Sequence, residues 1–67
     1  MEREHYKVNG VKNENMKTQI KNALEKIDGV NNVCVDLMRN SIEVIYNEPA
    51  SEKQIRDCIE NTGYSVE

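Results

Sequence analysis

The sequence predicts an α+β fold in which a four-stranded antiparallel sheet carries two helices on one face. Two stretches have apolar residues at the spacing of amphipathic helices, and shorter stretches alternate between polar and apolar residues as strands do. The chain has 67 residues and no Phe or Trp, so Ile, Val, Leu and Tyr must build one small core. We therefore expect a single domain over residues 1–67.

The first helix is predicted over residues 14–27. Asn13 is a suitable N-cap, because its side-chain oxygen can accept the free backbone N–H of Asn15 or Met16. Gly29 supplies a residue that can adopt a left-handed conformation beyond the helix end. The apolar face consists of Met16, Ile20, Ala23, Leu24 and Ile27.

The strands are predicted over residues 4–8, 30–37, 42–46 and 64–66. Residues 38–41 have the pattern of a hairpin turn between the second and third strands. The side chains expected to face the core are Tyr6, Val8, Val33, Val35, Leu37, Ile42, Val44 and Tyr46.

The second helix is predicted to follow Pro49, which stops the third strand. Ser51 and Gln54 have the spacing of a capping box, and Gly63 ends the helix. Its inward positions are Ile55, Cys58, Ile59 and Thr62. The resulting order, βαββαβ, is that of a ferredoxin-like sandwich.

Charge and hydropathy exclude several classes of protein. Nine basic and twelve acidic residues give a net charge of -3, so there is no uniform basic field for nucleic acid. No apolar run is close in length to a membrane span, which needs about 18 residues. The N-terminus lacks the apolar stretch of a signal peptide. An enzyme is not expected, because the single histidine has no serine or cysteine neighbour in this topology. We expect a cytoplasmic protein that binds no nucleic acid and inserts into no membrane.

The two cysteines are predicted to lie on opposite faces of the sheet. Cys34 alternates away from Val33 and Val35, so its thiol should be reachable by solvent or a soft ion. Cys58 falls on the inward side of the second helix, where it serves as a small apolar side chain. We expect no disulfide between them, because the bond needs Cα atoms closer than about 7 Å.

Four short motifs along the chain carry a resemblance to one family. They are V-x-G at residues 8–10, D-G-V at 28–30, V-x-V-D-L at 33–37 and I-E-x-x-G-Y at 59–64. Together they resemble the heavy-metal-associated domain of small bacterial copper chaperones and of the N-terminal modules of copper- or cadmium-transporting P-type ATPases. The resemblance implies the same βαββαβ fold.

The loop that binds metal in that family departs from the family pattern here. The family reads G-M-x-C-x-x-C, whereas this chain reads G-V-K-N-E-N-M at residues 10–16. By the resemblance, Asn13 and Met16 stand where the two metal-binding cysteines would be, and Val11 stands where the family usually has a buried methionine. Two thiolates supply most of the charge and softness that hold Cu(I), so a site built from Asn13 and Met16 should be orders of magnitude weaker.

Each candidate ligand also has an explanation without metal. Met16 lies on the apolar helix face, where a methionine usually packs, and Asn13 is explained by helix capping. The alternative metal sites are Met16 with a neighbouring group, or Cys34 shared between two molecules. The sequence therefore requires no cofactor, and weak binding of Cu(I) or another soft metal stays open.

The residues around the loop offer a docking surface. Lys12, Lys17 and Lys21 fall around the loop and along the outer side of the first helix. Tyr64 corresponds to an aromatic that lies beside the metal loop in bacterial members of the family. Chaperones of this family dock on their transporters through this surface, so the resemblance implies a metal-transporting P-type ATPase or a related metallochaperone as partner.

Two functions remain open for the chain, which we expect to be a monomer. The preferred one is a non-catalytic interaction or regulatory module that carries no metal at the loop. The alternative is a copper or heavy-metal binding or transport protein that uses a weak or relocated site at Met16 or Cys34.

Overall fold

Four strands and two helices follow one another along the chain in the predicted order. The computed structural model describes residues 1–67 and contains β1 (Glu2–Asn9), α1 (Glu14–Glu25), β2 (Val30–Asp36), β3 (Ser41–Tyr46), α2 (Glu52–Asn61) and β4 (Ser65–Val66). Neighbouring strands are antiparallel, in the order β2-β3-β1-β4 across the sheet. The predicted α+β, ferredoxin-like arrangement is therefore confirmed. Neither helix is long and apolar enough to cross a membrane.

The core lies between one face of the sheet and the two helices. Ile20 and Leu24 of α1 and Ile55 and Ile59 of α2 are fully buried in one cluster with the strand residues. Side chains alternate along a strand, so Cys34 lies exposed on the other face, which we call the outer face. The buried apolar strand residues are all among those predicted to face the core: Tyr6, Val8, Val33, Ile42, Val44 and Tyr46. Ser41, the first residue of β3, is buried as well, although the sequence pattern predicts it in the turn.

Two predicted positions at the helix ends are wrong. Helix α1 ends at Glu25 rather than at Ile27. The N–H of Ile27 donates to the Leu24 carbonyl at 3.1 Å in a turn, and the Ile27 side chain still packs on the core. Thr62 is exposed rather than inward, because it is the C-cap of α2 and its N–H donates to the Cys58 carbonyl. Local bonding at a helix end overrides the helical period that predicted both positions.

A small polar cluster joins the sheet to the start of α2. The Tyr6 hydroxyl donates to Oε2 of Glu52 at 3.2 Å, and Nε of Arg56 donates to the same oxygen at 3.0 Å. The Arg56 guanidinium also lies 5.9 Å from the centre of the Tyr6 ring, within cation–π range. Burial and then the Glu52 charge raise the pKa of Tyr6, because both disfavour the phenolate.

Three connections lie together at one end of the molecule, which we call the loop end: residues 10–13, 37–40 and 62–64. Strand β1 runs antiparallel to β3 and β4, and β2 runs antiparallel to β3, so the end of β1, the β2–β3 turn and the start of β4 coincide. The backbone N–H of Val8 donates to the Asn40 carbonyl at 2.7 Å, and Asn9 is paired with Ser65. The sheet therefore fixes the position of the β1–α1 loop relative to the other two connections.

Candidate functional site

The β1–α1 loop is held in place at its start by Gly10 and Val11. Gly10 has a φ of +108°, and a Cβ atom there would lie 3.0 Å from Cδ1 of Tyr64. The glycine thus lets the Tyr64 ring lie directly on the backbone of the loop. Val11 is buried in the core, as expected at a position where the family has a buried methionine.

Asn13 caps helix α1, as predicted. Its backbone is extended, with a φ of -147°, and its side-chain Oδ1 accepts the N–H of Met16 at 2.9 Å. Its carbonyl accepts the first backbone hydrogen bond of the helix, from Lys17 at 3.0 Å. The amide oxygen that could face a cation therefore already satisfies a free N–H of the first turn.

Met16 is half-buried and packs against the core cluster from the first turn of α1. This placement agrees with the packing role expected for a methionine on the apolar helix face. Asn13 and Met16 are thus brought close together by the first helical turn, and each makes a contact that stabilises that turn. No group of three or more His, Cys, Asp or Glu side chains in the chain is arranged to hold a metal ion.

The three lysines of the predicted docking surface differ in their surroundings. Lys12 is exposed in the loop, and no carboxylate lies within ion-pair distance of it. Nζ of Lys17 lies 3.8 Å from Oε2 of Glu14, an exposed pair that partly neutralises its charge. Lys21 is half-buried one turn further along α1. Lys12 is therefore the most available of the three charges.

Cys34 lies apart from the loop. It is exposed in the middle of β2 on the outer face, opposite Glu43 of β3, and its Sγ lies 3.9 Å from Nδ2 of Asn32. Met16 packs on the other side of the sheet, so the structure does not bring these two soft side chains together.

Cys58 is half-buried on the helix side of the sheet, and burial raises the pKa of its thiol. Both cysteines are free thiols. A shallow cleft of about 400 Å³ lies beside Cys58 on α2, lined also by Ile27, Gln54, Asp57, Asn61 and Thr62. None of its lining residues belongs to the β1–α1 loop.

A family model described as the heavy-metal-associated domain matches residues 5–65. The chain belongs to the heavy-metal-associated domain family. Copper chaperone CopZ of Staphylococcus haemolyticus is 35% identical to this heavy-metal-associated domain over 60 residues, which are 88% of each chain. Copper chaperone CopZ of Staphylococcus aureus strain JH9 is 33% identical over 67 residues, which are 98% of each chain.

Solved structures of the family have the same fold. A CopZ metallochaperone has a TM-score of 0.94 at 31% identity, and the match covers 98% of this chain and 100% of that chain. A copper-binding domain from HMA7, a P-type ATPase, has a TM-score of 0.93 at 25% identity and covers 100% of this chain and 92% of that domain. The chain is thus a copper-chaperone-like heavy-metal-associated domain whose only two cysteines lie outside the β1–α1 loop.

Met38 and Arg39 lie in the β2–β3 turn at the loop end, and the sequence pattern predicts them only as turn residues. Met38 is 95% exposed, and Arg39 is exposed beside it. The signal that could have found them is topological, because a ferredoxin-like strand order places this turn at the same end as the β1–α1 loop.

Proposed function

We propose that this chain is a non-catalytic interaction or regulatory module of copper handling that carries no copper in its β1–α1 loop. It acts as a single-domain monomer in the cytoplasm and docks on a metal-transporting P-type ATPase or on a related metallochaperone. One observation carries the proposal. Asn13 and Met16, at the positions of the family's ligands, are engaged in helix capping and core packing, and the loop contains no thiol.

The chemistry of Cu(I) supports this reading. Cu(I) is a soft ion that favours thiolates, and a neutral thioether with an amide oxygen supplies neither the charge nor the softness of two thiolates. Turning Oδ1 of Asn13 toward a metal would also release the N–H of Met16, with a loss of about 1 kcal/mol in helix stability. The poor ligand set and the loss of the helix cap therefore both disfavour copper binding at this loop.

The docking surface that remains is formed by Lys12, Lys17, Lys21 and Tyr64. Its charges suit an acidic partner, and complementary charge acts mainly on the rate and specificity of association. A module that docks there without metal would compete with a thiol-bearing copper chaperone for one transporter. Such competition is the regulatory activity that we propose.

The exposed thiol of Cys34 favours the alternative function, in which the protein binds copper or another soft metal at a relocated site. Cys34 alone offers one ligand, so a site of useful affinity would be shared between two molecules. Met16, half-covered by the core, is the other candidate for a weak site.

The first test is an anaerobic Cu(I) titration of the reduced protein, followed by amide NMR shifts. The positive control is the Asn13→Cys/Met16→Cys variant, which restores the family's two thiols to the same backbone. We expect tight binding by the double variant only. Tight binding by the unaltered protein would overturn the proposal; a Cys34→Ser or Met16→Ala change that removes it would then identify the site.

The second test is competition. The metal-binding domain of a copper-transporting P-type ATPase from the same cell is mixed with its copper-loaded chaperone, and this protein is added in increasing amounts. We expect copper transfer to slow, and the Lys12→Glu variant to slow it less. Transfer that is unaffected by an excess of the protein would contradict the docking role.

A further inference from the structure

The turn between β2 and β3 presents an apolar side chain at the loop end. Met38 is 95% exposed, and apart from Met1 at the chain terminus it is the only large hydrophobic side chain that is exposed. A large apolar side chain that is fully exposed to solvent indicates a binding site most clearly when it lies at the same end of the molecule as other functional residues. Met38 does so, because its turn lies at the same end as the β1–α1 loop and Tyr64.

The backbone beneath Met38 is held by three hydrogen bonds. Oδ1 of Asp36 accepts the N–H of Met38 at 3.0 Å and the N–H of Arg39 at 3.2 Å. The carbonyl of Asn40 accepts the N–H of Val8 at 2.7 Å, which ties the turn to β1. The turn is thus ordered before any partner arrives, so little backbone entropy is lost when Met38 is buried in a complex.

The only charged residues in the three connections at the loop end are basic, and the carboxylates of Glu14 and Asp36 flank these connections. In residues 10–13, 37–40 and 62–64 the charged residues are Lys12 and Arg39. The two connections at the opposite end, residues 26–29 and 47–51, carry Lys26, Asp28 and Glu48, although the chain as a whole has a net charge of -3. Nε of Arg39 lies 3.9 Å from Asp36, and its side chain is 83% exposed, so its charge faces solvent.

We propose that Met38 and Arg39 anchor the docking surface at the loop end, and that this surface fits an acidic protein with an apolar pocket between its carboxylates. The inference rests on the proposed docking function. It adds Met38 and Arg39 as the residues at the centre of the contact. Met38 enters the pocket, Arg39 and Lys12 meet carboxylates around it, and the Tyr64 ring covers the edge of the contact.

The test measures binding of the ¹⁵N-labelled chain to the metal-binding domain of a copper-transporting P-type ATPase from the same cell, by calorimetry and amide shifts. We expect Met38→Ala and Arg39→Glu each to raise Kd about tenfold or more, and Met38→Leu to change it by less than about threefold. Lys26→Glu at the opposite end is the matched control for charge, with an expected change below about twofold. All three positions are exposed, so amide spectra should report an intact fold.

The outcomes separate this inference from the function on which it rests. If Lys12→Glu weakens binding while Met38→Ala and Arg39→Glu do not, docking stands and the anchor is wrong. No binding by the unaltered chain would overturn both. A third outcome is a dimer of this chain that Met38→Ala dissociates, with no change in affinity for the ATPase domain. Met38 would then bind a second copy of the chain, and the inference would be overturned.

Discussion

Removal of the helix cap at Asn13 tests the central claim that this side chain serves the fold. In Asn13→Ala the N–H of Met16 loses the acceptor that lies 2.9 Å away, while the backbone of the loop is unchanged. Loss of such a cap costs about 1 kcal/mol, with a range of about 0.5–2. At about 0.05–0.15 kcal/mol per residue, a domain of this length has about 3–10 kcal/mol of total stability. The change is therefore a measurable fraction of the whole.

Urea unfolding followed by circular dichroism gives the free energy directly. A loss of about 1 kcal/mol corresponds to a fall in Tm of about 4–8 °C for a domain of this size. Asn13→Asp retains an oxygen acceptor at the helix N-terminus and should be at least as stable as the unaltered protein. Ser51→Ala is the matched change at α2, where Oγ accepts the N–H of Gln54 at 3.3 Å.

One pattern of results would refute this reasoning. If Asn13→Ala left the free energy of unfolding unchanged while Ser51→Ala lowered it, the hydrogen bond to Met16 would not contribute to stability. If Asn13→Ala also lowered the affinity of the protein for Cu(I), the residue would be a ligand after all.

Three further predictions concern other parts of the chain. Gly29→Ala should lower stability by more than about 3 kcal/mol in urea unfolding, because its Cβ would clash with the backbone carbonyl oxygen of Asn47. Gly63→Ala has a similar φ but no atom within 4 Å, and should cost only about 1 kcal/mol. Burial raises the pKa of Tyr6, so unfolding experiments should show stability that is full below about pH 10 and falls above it, and Tyr6→Phe should lessen that fall. Ellman's reagent should modify Cys34 faster than Cys58, whose burial raises its pKa, and Cys34→Ser should remove the fast phase.

The sequence predicts the elements well and their ends less well. Alternation and helical spacing identify the core faces, because burial imposes those periods on the apolar residues. Strand β1 nevertheless begins at Glu2, two residues before the predicted start, since Glu2 pairs with Tyr46 of β3 and pairing does not require an apolar side chain. Gly29 has the expected positive φ, but its close approach to Asn47 and Ala50 depends on a distant segment that no local pattern contains.

The candidate site divides in the same way. Capping by Asn13 is a local interaction and is correctly predicted. Two N–H groups are expected as possible donors, those of Asn15 and Met16, and the structure shows that of Met16. The pairing of Lys17 with Glu14 and the placement of Met38 at the same end as the β1–α1 loop are not predicted. The first depends on side-chain conformations, and the second depends on combining strand order with the exposure of one turn residue.

Positions 13 and 16 show why a family resemblance and a metal-binding activity can separate in one fold. A cysteine at position 13 would leave the N–H of Met16 with a poorer acceptor, whereas asparagine satisfies it. A second thiol at position 16 would give up the core contact of the longer methionine side chain. Both changes that remove the ligands thus strengthen the first turn of α1. The loop end, its strand pairings and the Tyr64 contact with Gly10 do not depend on either thiol. A docking surface can therefore persist without the two loop thiols, and partner binding and copper binding must be measured separately in this chain.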